Sequence, residues 1–367
     1  MISQPRSEKS HNTYPLRHVF VGLSGGVDSA VSAALLKKQG YEVTGVFIKA
    51  WTPPGYLCTW REDRRSAMRV AAVLDIPFIT LDLEKEYKKE VVDYMLKEYK
   101  QGKTPNPDVM CNKEIKFGHF LDFALKNGAD FVATGHYSRV LTSPDSRRGR
   151  DEVRVRLMEA KDKNKDQSYF LWTLKQGQLK HILFPIGHLQ KNEVRELAER
   201  FGLPQATRKD SQGLCFLGQI DMKEFLKENI KTKKGNVLNE NGEVIGEHEG
   251  AVLYTLGERH GFRVFNQQTK SEPLYVVAKN VDKNTITVST QNAKQETQNE
   301  QFKIQNINWT THSPKMENEC RIRYRGEKIK CKIENEKVLF DGPQLIASGQ
   351  SVVFYDGEKV LGGAIIA

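Results

Sequence analysis

The sequence predicts an α/β fold: a doubly wound parallel sheet, then a small β-rich central domain and a C-terminal β-barrel. Three observations carry this. Apolar runs alternate with helical patterns from residue 19 to about 200, the texture of a parallel sheet covered on both faces. The first apolar run, Val19 to Leu23, breaks into a glycine-rich turn and then a helical stripe, a strand–loop–helix unit. Beyond about residue 220 the helical periodicity fades, and short apolar runs are punctuated by turns such as Asn241-Gly242 and Asp356-Gly357.

In the first unit, Ala30 to Gln39 carries Val31, Ala34 and Leu35 on one stripe, with Gly40 just past its end, and is expected to be a helix. Val43–Ile48, Phe78–Leu81 and Phe131–Thr134 follow as buried strands, and Glu62–Leu74 and Glu84–Tyr99 as helices. Trp51 to Trp60 is expected to form a loop on the ligand rim, with Cys58 packed inside it. Gly102 to Lys113 contains two prolines and is expected to be a stiff loop leading into a helix over Lys113–Lys126. Lys191–Phe201 ends at Gly202 and Pro204, an ordinary helix stop. Four segments result: a flexible arm over 1–16, a catalytic domain over 17–220, a linking domain over 221–273 and a barrel over 274–367. The Gln/Asn-rich stretch Gln291–Gln305 is expected to be a long polar loop or irregular hairpin.

The 367 residues carry 56 Lys+Arg against 46 Asp+Glu, a net charge of +10 that favours a polyanionic partner. No stretch approaches the roughly 18 apolar residues of a membrane span, and the N-terminus lacks an apolar signal core. A cytoplasmic protein with no membrane partner is the expectation. The five cysteines, at 58, 111, 215, 320 and 331, form no Cys-x-x-Cys pair and lack histidines at zinc spacing.

The chemistry concentrates at Gly22-Leu23-Ser24-Gly25-Gly26-Val27-Asp28-Ser29. Glycines let the backbone approach an anion, the serines add hydroxyl donors and the helix N-terminus adds its dipole. Where a Walker loop has lysine, this one has Asp28. Without that ammonium, a Mg²⁺ ion bridging Asp28 to phosphates would balance the charge. Cys111, ahead of an expected helix and near Lys113 and Lys116, is either an activated thiolate or an inert buried thiol. Cys215 lies in a glycine-bounded segment suited to a thiol that must travel. His136 falls on the ligand rim, with a structural histidine as the alternative. Lys165-Asp166-Gln167 reads as a solvated cap or a polar reading head. Arg321, Arg323 and Arg325 alternate with Ile322 and Tyr324, and on one strand would show three guanidinium groups on one face, for phosphates or for solvent.

Ser24–Ser29 matches the pyrophosphate loop of the ATP pyrophosphatase superfamily. With Asn106-Pro-Asp-Val-Met-Cys-Asn112, Thr134-Gly-His-Tyr137, Lys165-Asp-Gln-Ser-Tyr-Phe-Leu171, Asp210-Ser-Gln-Gly-Leu-Cys-Phe-Leu-Gly218 and Gly349-Gln-Ser-Val-Val-Phe-Tyr355, the chain resembles the bacterial tRNA-specific 2-thiouridylases from about residue 17 to its end. Ile48 stands where methionine is frequent, and Gln212 where threonine is. The resemblance implies an ATP- and Mg²⁺-using sulfurtransferase that replaces the C2 oxygen of the wobble uridine in tRNAs for Lys, Glu and Gln. It implies ATP binding by Gly22 to Ser29, Ile48 and Gly135, with Asp28 toward the metal. Asn106, Pro107 and Asp108 would meet the target base, and His136, Lys165, Asp166, Gln167, Arg323, Tyr324 and Gln350 the tRNA. Cys215 would carry a persulfide, Cys111 would resolve it, Asp108 would assist proton transfer, and a relay protein or cysteine desulfurase would donate the sulfur. The rivals are another adenylating pyrophosphatase, of amidotransferase or argininosuccinate-synthetase type, and a catalytically silent RNA-binding protein.

Overall fold

The computed structural model describes residues 17–56, 60–144, 153–208, 221–265, 273–290, 299–310 and 317–367. Cys58 and Cys215 lie outside them.

A five-stranded sheet opens the chain. Strands β1 (His18–Gly22), β2 (Glu42–Lys49), β3 (Phe78–Asp82), β4 (Phe131–Ala133) and, after β5 (Arg139–Pro144) and β6 (Val153–Met158), β7 (Ile182–Leu183) run in the order β3-β2-β1-β4-β7, all parallel. Chain direction across the sheet reverses between β1 and β4, so the turn after β1 sits at the switch point where such sheets hold ligands. Successive β1 residues serve opposite faces. Val19 and Val21 pack with Val31 and Ala34 of α1 (Val27–Lys38), Val70 of α2 (Trp60–Val73) and Val194 from further along the chain. Phe20 packs on the other side with Phe117, Phe120 and Leu121. The helix over 84–100, here α3, has a π-helical middle, as does α4 over 107–126; α5 is Lys191–Arg200.

Two boundaries differ from expectation. Helix α1 starts at Val27, three residues early, because Gly26 adopts an extended N-cap conformation and Asp28 suits the first turn. The larger correction is α4, expected as a loop from Gly102 to Lys113. Pro107 is its first residue, where the missing N–H costs nothing, and Asn106 caps it by accepting the Asp108 and Val109 N–H groups at 3.2 and 3.3 Å. The prolines start this helix instead of forbidding it.

The central unit opens with α6 (Met222–Asn229) and forms a five-stranded sheet from β8 (Gly235–Leu238), β9 (Val244–His248), β10 (Arg263–Val264), β11 (Tyr275–Asn280) and β12 (Thr285–Ser289). Strands β11 and β12 were expected in the barrel from residue 274. They join the central sheet because β12 pairs in parallel with β8, burying Ile286 and Val288 with Val237. The barrel starts at β13 (Asn299–Trp309), which takes part of the expected polar loop 291–305. It continues with β14 (Glu317–Arg321), β15 (Ile329–Glu334), β16 (Lys337–Gln344), β17 (Ser351–Asp356) and β18 (Lys359–Ile366). Strand β13 pairs with β16 along one half and β18 along the other, closing six strands, and the β5–β6 hairpin of the first domain extends from β18.

Candidate nucleotide and thiol site

The glycine loop borders a cleft of about 300 Å³ at the ends of β1, β2 and β4. Of the residues expected at a nucleotide, Gly22, Leu23, Ser24, Asp28, Ser29, Ile48 and Gly135 line it. Gly25, Gly26 and Val27 shape the turn behind. Gly25 has φ +80°, and its carbonyl accepts from Ser66 Oγ at 3.1 Å and Arg208 Nη1 at 2.8 Å. Ser24 and Ser29 bond through their hydroxyls at 3.2 Å. At Gly135 the reason for glycine is space: a Cβ would lie 2.6 Å from the Ser29 nitrogen and 2.8 Å from the Asp28 carbonyl carbon.

Asp28 is heavily engaged. Its Oδ1 accepts from the Tyr137 hydroxyl at 2.9 Å, and Lys191 Nζ donates to Oδ1 at 2.7 Å and Oδ2 at 2.9 Å. The loop carries no lysine of its own, as the sequence predicts, yet an ammonium meets its carboxylate. A lysine is present, but α5 supplies it from 163 residues away in sequence. Tyr137, Asp63, which pairs with Arg208, and Lys191 were all missed. The one legible signal was Lys191 at the head of a helix, where the dipole disfavours a cation.

Cys111 lines the same cleft, 4% exposed, in the second turn of α4. Its expected position before a helix start is corrected with that helix. His136 also lines the cleft, but as a buried ring in a cluster with Phe117 and Phe184, with Nδ1 2.8 Å from Thr134 Oγ1. Burial, helped by nearby Lys116, holds its pKa well below the ordinary value, so it is neutral at pH 7. A charged contact to an RNA phosphate is outside its chemistry. Gln167 lines the cleft too, its Oε1 accepting the Tyr137 N–H at 2.9 Å.

Lys165, Asp166 and Tyr324 lie instead at a second cleft, of about 360 Å³, between the first domain and the barrel. Here the expected arginine stripe dissolves. Strand β14 ends at Arg321, and Arg325 has φ +59°, so the three arginines do not share a strand face. Arg321 points inward to Glu159 at 3.1 Å and Asp166 at 3.3 Å. Arg323 is exposed, and Arg325 donates to the Asn164 carbonyl at 3.1 Å. Asp166 was expected to read RNA. It is 4% exposed and accepts from the Ala160 N–H and the Ser168 hydroxyl at 2.8 and 2.9 Å, so it braces this junction. Burial raises its carboxyl above the ordinary value. Gln350 likewise ties the barrel to the segment before α4, donating to the Thr104 carbonyl at 2.8 Å. Among the described residues no group of three or more His, Cys, Asp or Glu side chains could hold a metal, and no helix is long and apolar enough to cross a membrane.

Three family models match in succession: a tRNA methyl transferase HUP domain over 17–219, a tRNA methyl transferase PRC-barrel domain over 223–290 and an aminomethyltransferase beta-barrel domain over 299–366. A tRNA-specific 2-thiouridylase MnmA from Streptococcus thermophilus is 45% identical over 95% of this chain and 94% of its own length. One from Lactococcus lactis subsp. cremoris is 44% identical over the same shares. A solved NMN synthetase from Francisella tularensis is 19% identical, with TM-score 0.35, over 58% of this chain and 72% of its own. At 45% identity along nearly the whole length of both proteins, this chain belongs to the tRNA-specific 2-thiouridylase family.

Proposed function

We propose that the protein is a tRNA-uridine 2-sulfurtransferase that activates the C2 oxygen of the wobble uridine with ATP and replaces it with sulfur. The observation that carries this is one cleft holding both a phosphate-binding loop and a buried cysteine. An amidotransferase-type pyrophosphatase needs the loop but has no use for that thiol.

The loop's amides and the Ser24 and Ser29 hydroxyls bind the phosphates of ATP, and the apolar wall at Ile48 receives the base. Asp28, once released from Lys191, would hold a Mg²⁺ ion, which would neutralise charge on the departing pyrophosphate. The uridine O2 attacks the α-phosphorus, and the bond to the β-phosphate oxygen breaks with its electron pair leaving on pyrophosphate. The terminal sulfur of a persulfide on Cys215 then attacks C2. The Cys111 thiolate attacks the Cys215 sulfur and breaks the S–S bond; the released pair forms C2=S as AMP departs with the oxygen. A Cys111–Cys215 disulfide remains, for a cellular thiol to reduce.

Asn106, Pro107 and Asp108 start the helix that carries Cys111, which supports a role beside the target base. Lys165 and Tyr324 at the second cleft, with exposed Arg323, are proposed to hold the tRNA backbone. The substrates proposed are the tRNAs for Lys, Glu and Gln, with sulfur delivered by a relay protein or cysteine desulfurase in the cytoplasm. The test is production of AMP and pyrophosphate that depends on tRNA, together with mass spectrometry of the wobble uridine. Nucleotide cleavage equally fast without tRNA, or an unthiolated product in the presence of a sulfur donor, overturns the proposal.

A further inference from the structure

Helix α2 has two unlike faces. Ala67, Val70 and Ala71 are buried in the core that contains Val19 and Val21 of β1. On the opposite side Arg61, Arg65 and Arg69 are exposed and recur at every fourth residue, so they form one outward stripe about 12 Å long. The Arg61 guanidinium lies 5.5 Å from the centre of the Trp60 ring, and among the described residues no ion pair engages Arg65 or Arg69. Like charges at this spacing repel, so the stripe works against the helix that carries it.

The place of the stripe says what it serves. Helix α2 anchors the chain just before Cys215: Arg208 Nη2 donates to Asp63 Oδ1 at 2.6 Å, and Gln205 Nε2 to the Ser66 carbonyl at 3.0 Å. Cys215 follows Arg208 by seven residues, so it lies within about 25 Å of that anchor whatever path the chain takes. A protein that hands sulfur to Cys215 must therefore stand near α2. The second cleft, proposed above for RNA, is on the other side of the sheet, where Val353 and Tyr355 of the barrel share a core with Phe20.

We infer that the stripe of Arg61, Arg65 and Arg69 is the docking surface for an acidic face of the protein that delivers sulfur to Cys215. This extends the sulfurtransferase reading and rests on its persulfide step. In the docked pair the Cys215 thiolate attacks the outer sulfur of the donor's cysteine persulfide. The donor's S–S bond breaks, its electron pair leaves on the donor cysteine as thiolate, and one persulfide replaces another with no net oxidation. The arginines touch no reacting atom; their attraction acts on the rate of encounter.

The test is persulfide loading of the full chain without ATP or tRNA, read by mass spectrometry as one sulfur added to the Cys215 peptide. Two donors are compared, a cysteine desulfurase charged with cysteine and free cysteine persulfide. The double variant Arg65→Glu, Arg69→Glu should slow loading by the desulfurase about tenfold or more, the scale of electrostatic steering, and leave loading by cysteine persulfide and affinity for tRNA within about twofold. On the unaltered enzyme, which needs no variant to fold, added salt should slow the desulfurase reaction far more than the reaction with cysteine persulfide. Equal slowing with both donors, or none with either, overturns the inference. A fall in tRNA affinity overturns it too and makes the stripe an RNA contact. A wild-type enzyme loaded by cysteine persulfide but not by the desulfurase overturns the docking surface alone; loading by neither overturns the persulfide step, and this inference with it.

Discussion

The two clefts use charge in opposite ways. At the nucleotide cleft a short contiguous run, Ser24 to Ser29, places backbone amides and hydroxyls at the head of a helix whose N-cap is glycine, so no side chain caps it. At the second cleft charged side chains from residues 159 to 328 converge, and they largely satisfy one another. Glu159, 2% exposed, takes Arg321, Lys163 and Lys328 at 3.1, 2.9 and 3.1 Å. The local site spends its donors on long contacts within its own loop, the Ser24 N–H to Ser29 Oγ at 3.2 Å and the Gly26 N–H to Ser24 Oγ at 3.4 Å, which a ligand can replace, whereas charges brought together by folding are spent on holding the fold. The exposed Arg323 at the rim is the cation proposed for RNA.

The sharpest way to break this contrast is at the thiol. Cys111→Ser should still release pyrophosphate in the presence of tRNA but form no thiolated uridine, a loss to the detection limit of mass spectrometry. Thiolation at the normal rate would remove Cys111 from the chemistry and leave it a packed core thiol. Next comes Asp28→Ala, which should slow pyrophosphate release about a hundredfold, the order seen when one electrostatic contact to a transition state is removed. Full turnover in that variant would mean that the glycine loop binds something other than the polyphosphate.

At the second cleft two arginines two residues apart should behave differently. Arg321→Ala leaves Glu159 and Asp166 buried without their shared guanidinium, and should cost about 3 kcal/mol in urea unfolding. Arg323→Ala should leave stability unchanged and flatten the dependence of log affinity for tRNA on log salt by about 1. Equal effects of both substitutions on stability and slope would erase the distinction between internal and rim charge.

Legibility in the sequence followed the same division. The parallel sheet and the glycine loop were readable because strand period, helix period and turn chemistry act within a few residues of each other. Pro107 was misread because a proline breaks the interior of a helix but suits its first position, and only the Asn106 cap tells the two apart. The arginine stripe was misread because alternation predicts a shared face only while the strand continues, and β14 stops at Arg321. Strands β11 and β12 were placed in the wrong unit because the parallel partner of β12, β8, pairs Thr285 with Asn236 across 49 residues of chain and leaves no local mark. Lys191 is the extreme case: its partner Asp28 comes from another helix, and no pattern in one chain segment encodes that pairing.

The smallest effect concerns His136, where the nucleotide cleft meets the core. Its ring is buried against two phenylalanines and its pKa in the folded protein lies well below the ordinary 6.5, chiefly through burial. The unfolded chain therefore binds a proton below pH 6.5 that the folded protein refuses. Stability contributed by this group is fully present above pH 6.5 and is lost as pH falls, with a slope approaching about 1.4 kcal/mol per pH unit for the single proton. His248, also lowered by burial, acts with the same sign in the central sheet, so the wild-type slope alone does not isolate His136. His136→Gln keeps a polar side chain beside Thr134 and removes one titration. Unfolding in urea from pH 7 to pH 5 should show the variant's stability declining less steeply than the wild type's, by up to one proton. Parallel curves would mean that water or a movement of the Phe117–Phe184 pair lets the folded protein protonate this ring, and His136 would then be open to the charged RNA contact that its burial now excludes.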